Sequence, residues 1–192
     1  MLDFILAALR AAIPAGTPLL FGTLGEVYAE RSGVLNLGVE GMMIMGAVFG
    51  FGVAQTMESV WAGILAAALV GGLMALIHAF TTISLRVNQV VSGLALTMVG
   101  LGISGMVGKQ FVGQPLSVRL QPVTIPLLSD LPILGTLLFK FDLLVYLGII
   151  LVPVLSFVLF KTRLGVTLRS VGENPAAADA MGVNVSLTRY AA

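Results

Sequence analysis

The chain has 192 residues, of which 58% are hydrophobic and only 10% are charged, whereas a soluble domain carries about 25% charged residues. A chain this apolar cannot cover a water-facing surface, so lipid must be its solvent over much of its length. The net charge of +1 argues against nucleic-acid binding, which needs clustered basic residues. The absence of cysteine excludes disulfides and thiolate metal sites.

Five segments approach the roughly 20 apolar residues that a membrane-spanning helix needs. They predict an all-α fold, a polytopic transmembrane helix bundle that forms a single domain over residues 1–192. The run after Met1 lacks the basic region and cleavage site of a secretory signal, so it is predicted to be a retained first span. The spans are expected at about 4–24, 34–55, 60–84, 88–108 and 142–160.

The Lys and Arg residues predict the orientation of these spans. If the stretch after the fifth span is cytoplasmic, six basic residues lie inside and four outside, and the amino terminus is external. Residues 109–141 then form an external loop or a partly re-entrant element. A continuous helix is excluded there by Pro115, Pro122, Pro126 and Pro132.

A first polar cluster, "ERSGVLNLGVEGMM" at 30–43, joins the first two spans. Asn36 and Glu40 are four residues apart and are expected to share one helical face. The glycines allow a broken helix that lines a solute pathway, but a tight turn in which Glu40 pairs with Arg31 explains the pattern as well. The candidate pathway residues here are Gly33, Asn36, Gly38, Glu40 and Gly41.

A second polar cluster, "LRVNQVVSGLALT" at 85–97, leads into the fourth span. Asn88 and Ser92 are again four apart, which predicts a polar stripe that enters the membrane together with Gln89. The stripe could line a solute path, or it could serve hydrogen bonding between helices. His78 has no acidic partner in its span, and Gly46 and Gly50 form a small-xxx-small pair, so these residues are predicted to serve packing.

A third motif, "GENPAAADAMG" at 172–182, predicts a short helix of about seven residues. Asn174 suits the N-cap, Pro175 the first helical position and Gly182 the C-terminal stop. So short a helix is unstable alone in water, so it must dock either on a partner or on its own bundle. Its expected small apolar face comprises Ala177, Ala180 and Met181.

Three motifs carry a resemblance to a known family: "AERSGVLNLGVEGMMIMGA" at 29–47, "LRVNQVVSGLALT" at 85–97 and "TRLGVTLRSVGENPAAADAMGV" at 162–183. They resemble the permease subunits of ABC importers for nucleosides and simple sugars, a group that includes ribose and branched-chain amino-acid permeases. The resemblance covers the chain from about residue 5 to its end. It implies a multi-pass protein of the cytoplasmic membrane that works with cytoplasmic ATP-binding subunits, a second permease subunit and an extracytoplasmic substrate-binding protein.

By this resemblance, residues 161–186 form a cytoplasmic coupling segment, and its short helix is the coupling helix. The expected ATPase-coupling residues are Gly165, Arg169, Gly172, Glu173, Asn174, Pro175, Asp179 and Gly182. Family members continue past residue 192 with further spans, so the chain is expected to be C-terminally truncated. The resemblance also favours a heteromeric permease pair, and it favours nucleosides over simple sugars, with branched-chain amino acids third.

No catalytic residue, metal site or cofactor is expected in this chain. Gly108 and Lys109 lack the spacing of a phosphate-binding loop, so ATP hydrolysis must occur on another subunit. One histidine and no paired carboxylates within the spans make a membrane enzyme a poor explanation. The alternative function is an ion-coupled secondary transporter of a small polar solute, for which Glu40 would have to be the ion-carrying carboxylate.

Overall fold

The structure, a computed structural model, describes residues 1–115, 117–124 and 139–192. Four long helices come first: α1 (Leu2–Arg31), α2 (Val39–Thr56), α3 (Val60–Ala79), which continues as a π-helix (Phe80–Ser84), and α4 (Gln89–Gly108), which is followed by a 3-10 turn (Lys109–Phe111). The later helices are α5 (Leu143–Lys161), α6 (Arg163–Glu173), α7 (Pro175–Ala180) and α8 (Val185–Ala191). The all-α, polytopic architecture predicted from the sequence is confirmed.

Within the described ranges, five helices are long and apolar enough to cross a membrane, as predicted. Apolar residues surround these helices on all sides, a pattern typical of helices whose solvent is lipid or other apolar segments. Large side chains such as Leu69, Met98 and Phe157 are accordingly exposed on the surface of the chain.

Three of the five predicted spans agree closely with the observed helices, but two helix ends differ. The first helix continues beyond residue 24 to Arg31, and the second begins at Val39 instead of residue 34. The predicted ends were wrong because hydropathy does not detect where backbone hydrogen bonding changes. A polar residue such as Glu26 does not end a helix by itself, and the residues before Val39 form a loop that side chains hold in place.

A two-stranded ladder departs from the helical pattern. Strand β1 (Val123–Thr124) pairs antiparallel with β2 (Lys140–Phe141), with Val123 opposite Phe141. Both strands belong to the segment that was predicted to be an external loop. Residue 116 and residues 125–138 of that segment, including two of its four prolines, lie outside the described residues.

One compact unit comprises, among the described residues, 1–24, 120–124 and 139–157. Inside it, α5 packs on α1 where Gly148 approaches Leu20 and Phe21, and a Cβ at this glycine would lie 3.3 Å from the Leu20 side chain. Asp142 caps α5, since its Oδ1 accepts hydrogen bonds from the backbone N–H groups of Leu144 and Val145. This unit therefore holds the fifth span against the first.

The second compact unit comprises residues 25–119 and 158–192, and α2 lies at its centre between α3 and α4. Gly46 and Gly50 face Ala67 of α3, with the positions of their Cβ atoms 3.2 Å and 3.0 Å from it, so the predicted close packing is confirmed. On the opposite side, Gly41 of α2 meets Gly100 of α4. Small residues thus let both neighbouring helices approach the backbone of α2.

Candidate functional site

The first polar cluster forms a loop, residues 32–38, which we call the α1–α2 loop. Gly33 has a φ of +84°, a conformation that glycine adopts without strain, and it turns the chain away from α1. Asn36 lies in the loop, where its Oδ1 accepts a hydrogen bond of 2.9 Å from Gly38 N. The predicted helical face shared by Asn36 and Glu40 is therefore wrong, because Asn36 precedes α2 and Glu40 is exposed in the first turn of that helix.

Gln89 of α4 holds this loop through both ends of its amide group. Its Oε1 accepts a hydrogen bond of 2.7 Å from Leu35 N, and its Nε2 donates one of 3.2 Å to Gly33 O. A primary amide is suited to this task because it is a donor and an acceptor at once. The structure thus joins the first and second polar clusters, which are 56 residues apart at this contact.

Two further side chains bind the carbonyl groups of the loop. His78 of α3 donates from Nε2 to Leu35 O at 3.1 Å, and Thr97 of α4 donates to Leu37 O at 2.9 Å. His78 is only 2% exposed, and its Nδ1 lies 3.2 Å from the hydroxyl of Ser92. Together with Gln89, these contacts satisfy alternate carbonyl groups along the loop. We call Gln89, His78 and Thr97 the polar clamp.

Asn88 and Ser92 do not form the predicted stripe. Asn88 precedes α4 and caps it, since its Oδ1 accepts from the backbone N–H groups of Val90 and Val91. Ser92 is buried and its hydroxyl lies 2.7 Å from that of Thr81 on the π-helix. Of the two explanations that the sequence left open for Ser92, hydrogen bonding between helices fits this geometry.

Glu26 is a residue that the sequence analysis did not single out. It lies near the end of α1, where its Oε1 accepts a hydrogen bond of 2.9 Å from Asn36 N. Within residues 1–115, 117–124 and 139–192, its Oε2 is the one buried side-chain nitrogen or oxygen without a hydrogen-bond partner. The sequence could not identify it, because the first span was predicted to end before it. The partly buried carboxylate at the α1–α2 loop thus comes from Glu26, while Glu40 is exposed.

The coupling segment contains an extra helix, α6, before its short one. Thr162 caps α6, since its hydroxyl accepts from Gly165 N at 3.3 Å. Gly165 lies directly against the carbonyl group of Leu159, in the last turns of α5. The guanidinium group of Arg169 lies over the ring of Phe160 at 5.4 Å. Two of the predicted coupling residues therefore hold α6 against the end of the fifth span.

The short helix α7 forms where the sequence predicted it. The Oδ1 of Asn174 accepts a hydrogen bond of 3.0 Å from Ala177 N, Pro175 is the first helical residue, and Gly182 follows the helix with a φ of +85°. The predicted cap, first position and C-terminal stop are confirmed.

One face of α7 packs on the chain itself, and its other faces are exposed to solvent. Ala178 is 4% exposed and anchors the helix to its own chain, while Met181 is 85% exposed. Glu173 and Asp179 are exposed as well. The face that was predicted to be apolar, formed by Ala177, Ala180 and Met181, is exposed throughout, so it is free to contact another protein.

Removing the cap of α7 is expected to loosen this helix. Replacing Asn174 with Ala leaves Ala177 N without its acceptor, which costs about 1 kcal/mol, and a six-residue helix has little other support. Hydrogen exchange of the backbone amides at 177–182 should become about fivefold faster. A cost of about 1 kcal/mol corresponds to that factor, because about 1.4 kcal/mol corresponds to a factor of ten. Asn174→Asp, which keeps a capping oxygen, should exchange at the original rate. Equal exchange in Asn174→Ala would contradict the capping role.

A family described as "Branched-chain amino acid transport system / permease component" matches residues 10–192. A Haloferax volcanii protein with a provisional name as a glucose ABC transporter permease protein is 40% identical, over 100% of this chain and 59% of its own length.

Two bacterial relatives are similarly close. The guanosine ABC transporter permease protein of Bacillus subtilis is 41% identical over 97% of this chain and 63% of its own length. The nucleoside ABC transporter permease protein of Lactococcus lactis is 38% identical over 91% of this chain and 58% of its own length. The chain thus spans about three fifths of the length of these curated relatives. No solved structure matches it significantly.

Proposed function

The chain belongs to the family of permease components of branched-chain amino acid transport systems, and on that premise we propose that it is the transmembrane subunit of an ATP-driven importer of nucleosides or simple sugars. It is a multi-pass protein of the cell membrane, with five apolar helices in its described part. The observation that carries the proposal is α7, a capped helix of six residues with an exposed face, at the end of a helix packed on the fifth span.

The proposed role of α7 is to dock on a cytoplasmic ATP-binding subunit. Its exposed Met181 offers an apolar contact, and the carboxylates of Glu173 and Asp179, which precede Met181 in the chain, are exposed as well. Apolar contacts surrounded by charged groups are typical of protein interfaces. In this proposal the chain is not catalytic: ATP is hydrolysed on the partner, and the resulting displacement of α7 moves the spans. A second permease subunit and an extracytoplasmic substrate-binding protein complete the importer.

The proposed solute class follows from the names of the relatives. Guanosine and other nucleosides contain a ribose ring, and glucose is itself a sugar, so a ring that bears several hydroxyl groups is their shared chemistry. Polar groups near the α1–α2 loop can bind such hydroxyls as donors or acceptors. We propose that the predicted pathway residues act in two ways. Glu40 and Asn88 are exposed and can meet the solute, whereas Gly33, Asn36, Gly38, Gly41, Gln89 and Ser92 contact other parts of the chain and shape the path. We place nucleosides before simple sugars.

Docking is tested by co-purification of the ATP-binding subunits with the protein expressed from its own operon. Glu173→Arg reverses the charge beside α7 and is expected to reduce the retained ATP-binding subunit by roughly tenfold. Glu58→Arg is the matched control, because Glu58 is equally exposed but lies in the α2–α3 turn, one span away from the α1–α2 loop. Equal loss in both variants, or in neither, would contradict docking through this helix.

Transport is tested with the assembled importer in liposomes that contain ATP. Uptake of radiolabelled guanosine and uridine is expected to depend on ATP and to persist when a protonophore removes the proton gradient. Unlabelled glucose and leucine, added as competitors, rank the solute classes. Uptake that stops with the protonophore and needs no ATP would instead indicate the ion-coupled secondary transporter.

A further inference from the structure

The last helix of the chain binds the α1–α2 loop from the cytoplasmic side of the predicted topology. Arg189 of α8 donates from Nε to the carbonyl oxygen of Ser32 at 3.2 Å. The next residue, Tyr190, places its hydroxyl 2.6 Å from that of Ser84, at the end of the π-helix. Two adjacent side chains of α8 thus reach the start of the loop and the end of the third span.

Helix α6 contacts the same place through glycine. Gly172 lies against the carbonyl oxygen of Arg31, and the position of a Cβ on Gly33 would be 3.3 Å from Gly172 Cα and 3.1 Å from Nη2 of Arg189. The two glycines therefore face each other without side chains between them. Because backbone meets backbone here, α6 cannot be displaced towards the loop without pushing it.

The opposite side of the loop is held by the polar clamp. Gln89 binds Gly33 O and Leu35 N, His78 binds Leu35 O, and Thr97 binds Leu37 O. These donors belong to α3 and α4, whereas Arg189 and Gly172 belong to the coupling segment and its continuation. Gly33 lies at the junction, since it contacts Gly172 and accepts a hydrogen bond from Gln89.

We propose that the α1–α2 loop is the mechanical link between the coupling segment and the spans, with Arg189 and Gln89 as the positioning residues at its two sides. The coupling segment and the loop move as one body, and the polar clamp transfers that displacement to α3 and α4. This inference rests on the proposed function. It requires that the coupling between ATP hydrolysis and transport depend on the contacts of the loop as well as on the docking of α7.

The first experiment measures ATP hydrolysed per solute imported by the complete transporter in liposomes. Arg189→Lys keeps the charge but loses the Nε donor, and Gln89→Leu removes both bonds of the amide. Each is expected to raise this ratio by about fivefold or more, because ATP hydrolysis no longer moves the spans efficiently. The matched controls are Arg119→Lys and Gln55→Leu, which change side chains of the same types outside the coupling segment, the α1–α2 loop and the polar clamp. Both should leave the ratio unchanged.

Gln89→Glu separates the two bonds of the clamp. The carboxylate keeps the acceptor for Leu35 N but loses the donor to Gly33 O, so its ratio should lie between those of the unsubstituted protein and Gln89→Leu. An unchanged ratio in both Arg189→Lys and Gln89→Leu, with ATP-dependent uptake intact, overturns the proposed link alone. Failure of the unsubstituted transporter to import any nucleoside or sugar with ATP overturns the proposed function instead.

The second experiment asks whether α8 and the third span move together. Because the chain has no cysteine, Ser84→Cys with Tyr190→Cys introduces a unique pair, and a bis-methanethiosulfonate reagent with a spacer of phenol length can join them. Uptake should stay within about twofold of the unjoined pair, before and after a reductant cleaves the cross-link. Loss of uptake on cross-linking that the reductant restores would overturn the proposal, since the coupling segment would then have to slide past the spans.

Discussion

Adding one methyl group at Gly100 is expected to separate α2 from α4 and to destabilise the protein severely. A Cβ there would lie 2.6 Å from the carbonyl oxygen of Gly41 and 2.7 Å from its Cα. These are backbone atoms, which cannot rotate away as a side chain can, so the helices themselves must shift. We expect Gly100→Ala to lower the free energy of unfolding by about 3 kcal/mol, the upper part of the range for overpacking.

The measurement is the unfolding midpoint of the purified protein in detergent, by thermal or SDS titration. Gly102→Ala and Gly105→Ala are matched controls on the same helix, because a Cβ at either position meets no described atom within 4 Å. Both should be neutral or more stable by up to about 1 kcal/mol, the ordinary helix preference of Ala over Gly. A midpoint for Gly100→Ala equal to those of the controls would show that the two helices are not in backbone contact.

Adding a methyl group at Gly165 is expected to abolish coupling while the spans remain folded. Its Cβ would overlap the carbonyl groups of Leu159 and Val158 at the end of α5, so α6 would have to move away from the fifth span. The overlap costs the docked position of α6 about 3 kcal/mol. Since about 1.4 kcal/mol changes an equilibrium tenfold, the population with α6 docked on the fifth span should fall by more than tenfold. ATP-dependent uptake and retention of the ATP-binding subunits should therefore fall by about tenfold or more.

Uptake, subunit retention and the unfolding midpoint are measured together on this variant. Ser170→Ala is the control on the same helix, since it only removes a hydroxyl that bonds to Val166 O within α6. Gly165→Ala should lose uptake and retention with a smaller change in midpoint than Gly100→Ala, because α6 can move away while the spans stay packed, and Ser170→Ala should lose neither. Normal uptake by Gly165→Ala would indicate that the position of α6 does not matter for coupling.

The two glycine predictions and the proposed link share one physical basis. Close approach of backbones at Gly41, Gly100 and Gly172 leaves little free space, so movement of one element is passed directly to its neighbour. Hydrogen bonds from the polar clamp also fix the orientation of the loop relative to α3 and α4, because each donor binds one particular carbonyl group of the loop. The loop thus forms hydrogen bonds with side chains of α1, α3, α4 and α8.

Much of the fold could be predicted from local features of the sequence. Runs of about twenty apolar residues identify spans because the hydrocarbon core has a fixed thickness, and three of the five predicted spans both begin and end within a residue or two of the observed helices. The short helix α7 was also predictable, since Asn174, Pro175 and Gly182 each act on backbone groups only a few residues away.

The candidate site was only partly predictable. The polar clusters at 30–43 and 85–97 were recognised, but their assignment to helical faces failed, because Asn36 and Asn88 precede helices instead of lying within them. Spacing of four residues has meaning only inside a helix, and the helix starts were not known. Glu26 was not predicted to belong to the site for a related reason: α1 continues beyond the end of its apolar run.

The sequence by itself determined that this protein is a helical membrane protein with a capped cytoplasmic helix in its predicted topology, since hydropathy and capping act over short stretches of chain. Only the tertiary structure decided which side chains hold the α1–α2 loop, because the partners of its carbonyl groups lie 43 to 157 residues away. Pairs of glycines such as Gly41 and Gly100 likewise gain their meaning only when two helices meet. A hydrogen bond or a backbone contact between distant residues produces no periodic pattern in the sequence, so it can be identified only in the folded structure.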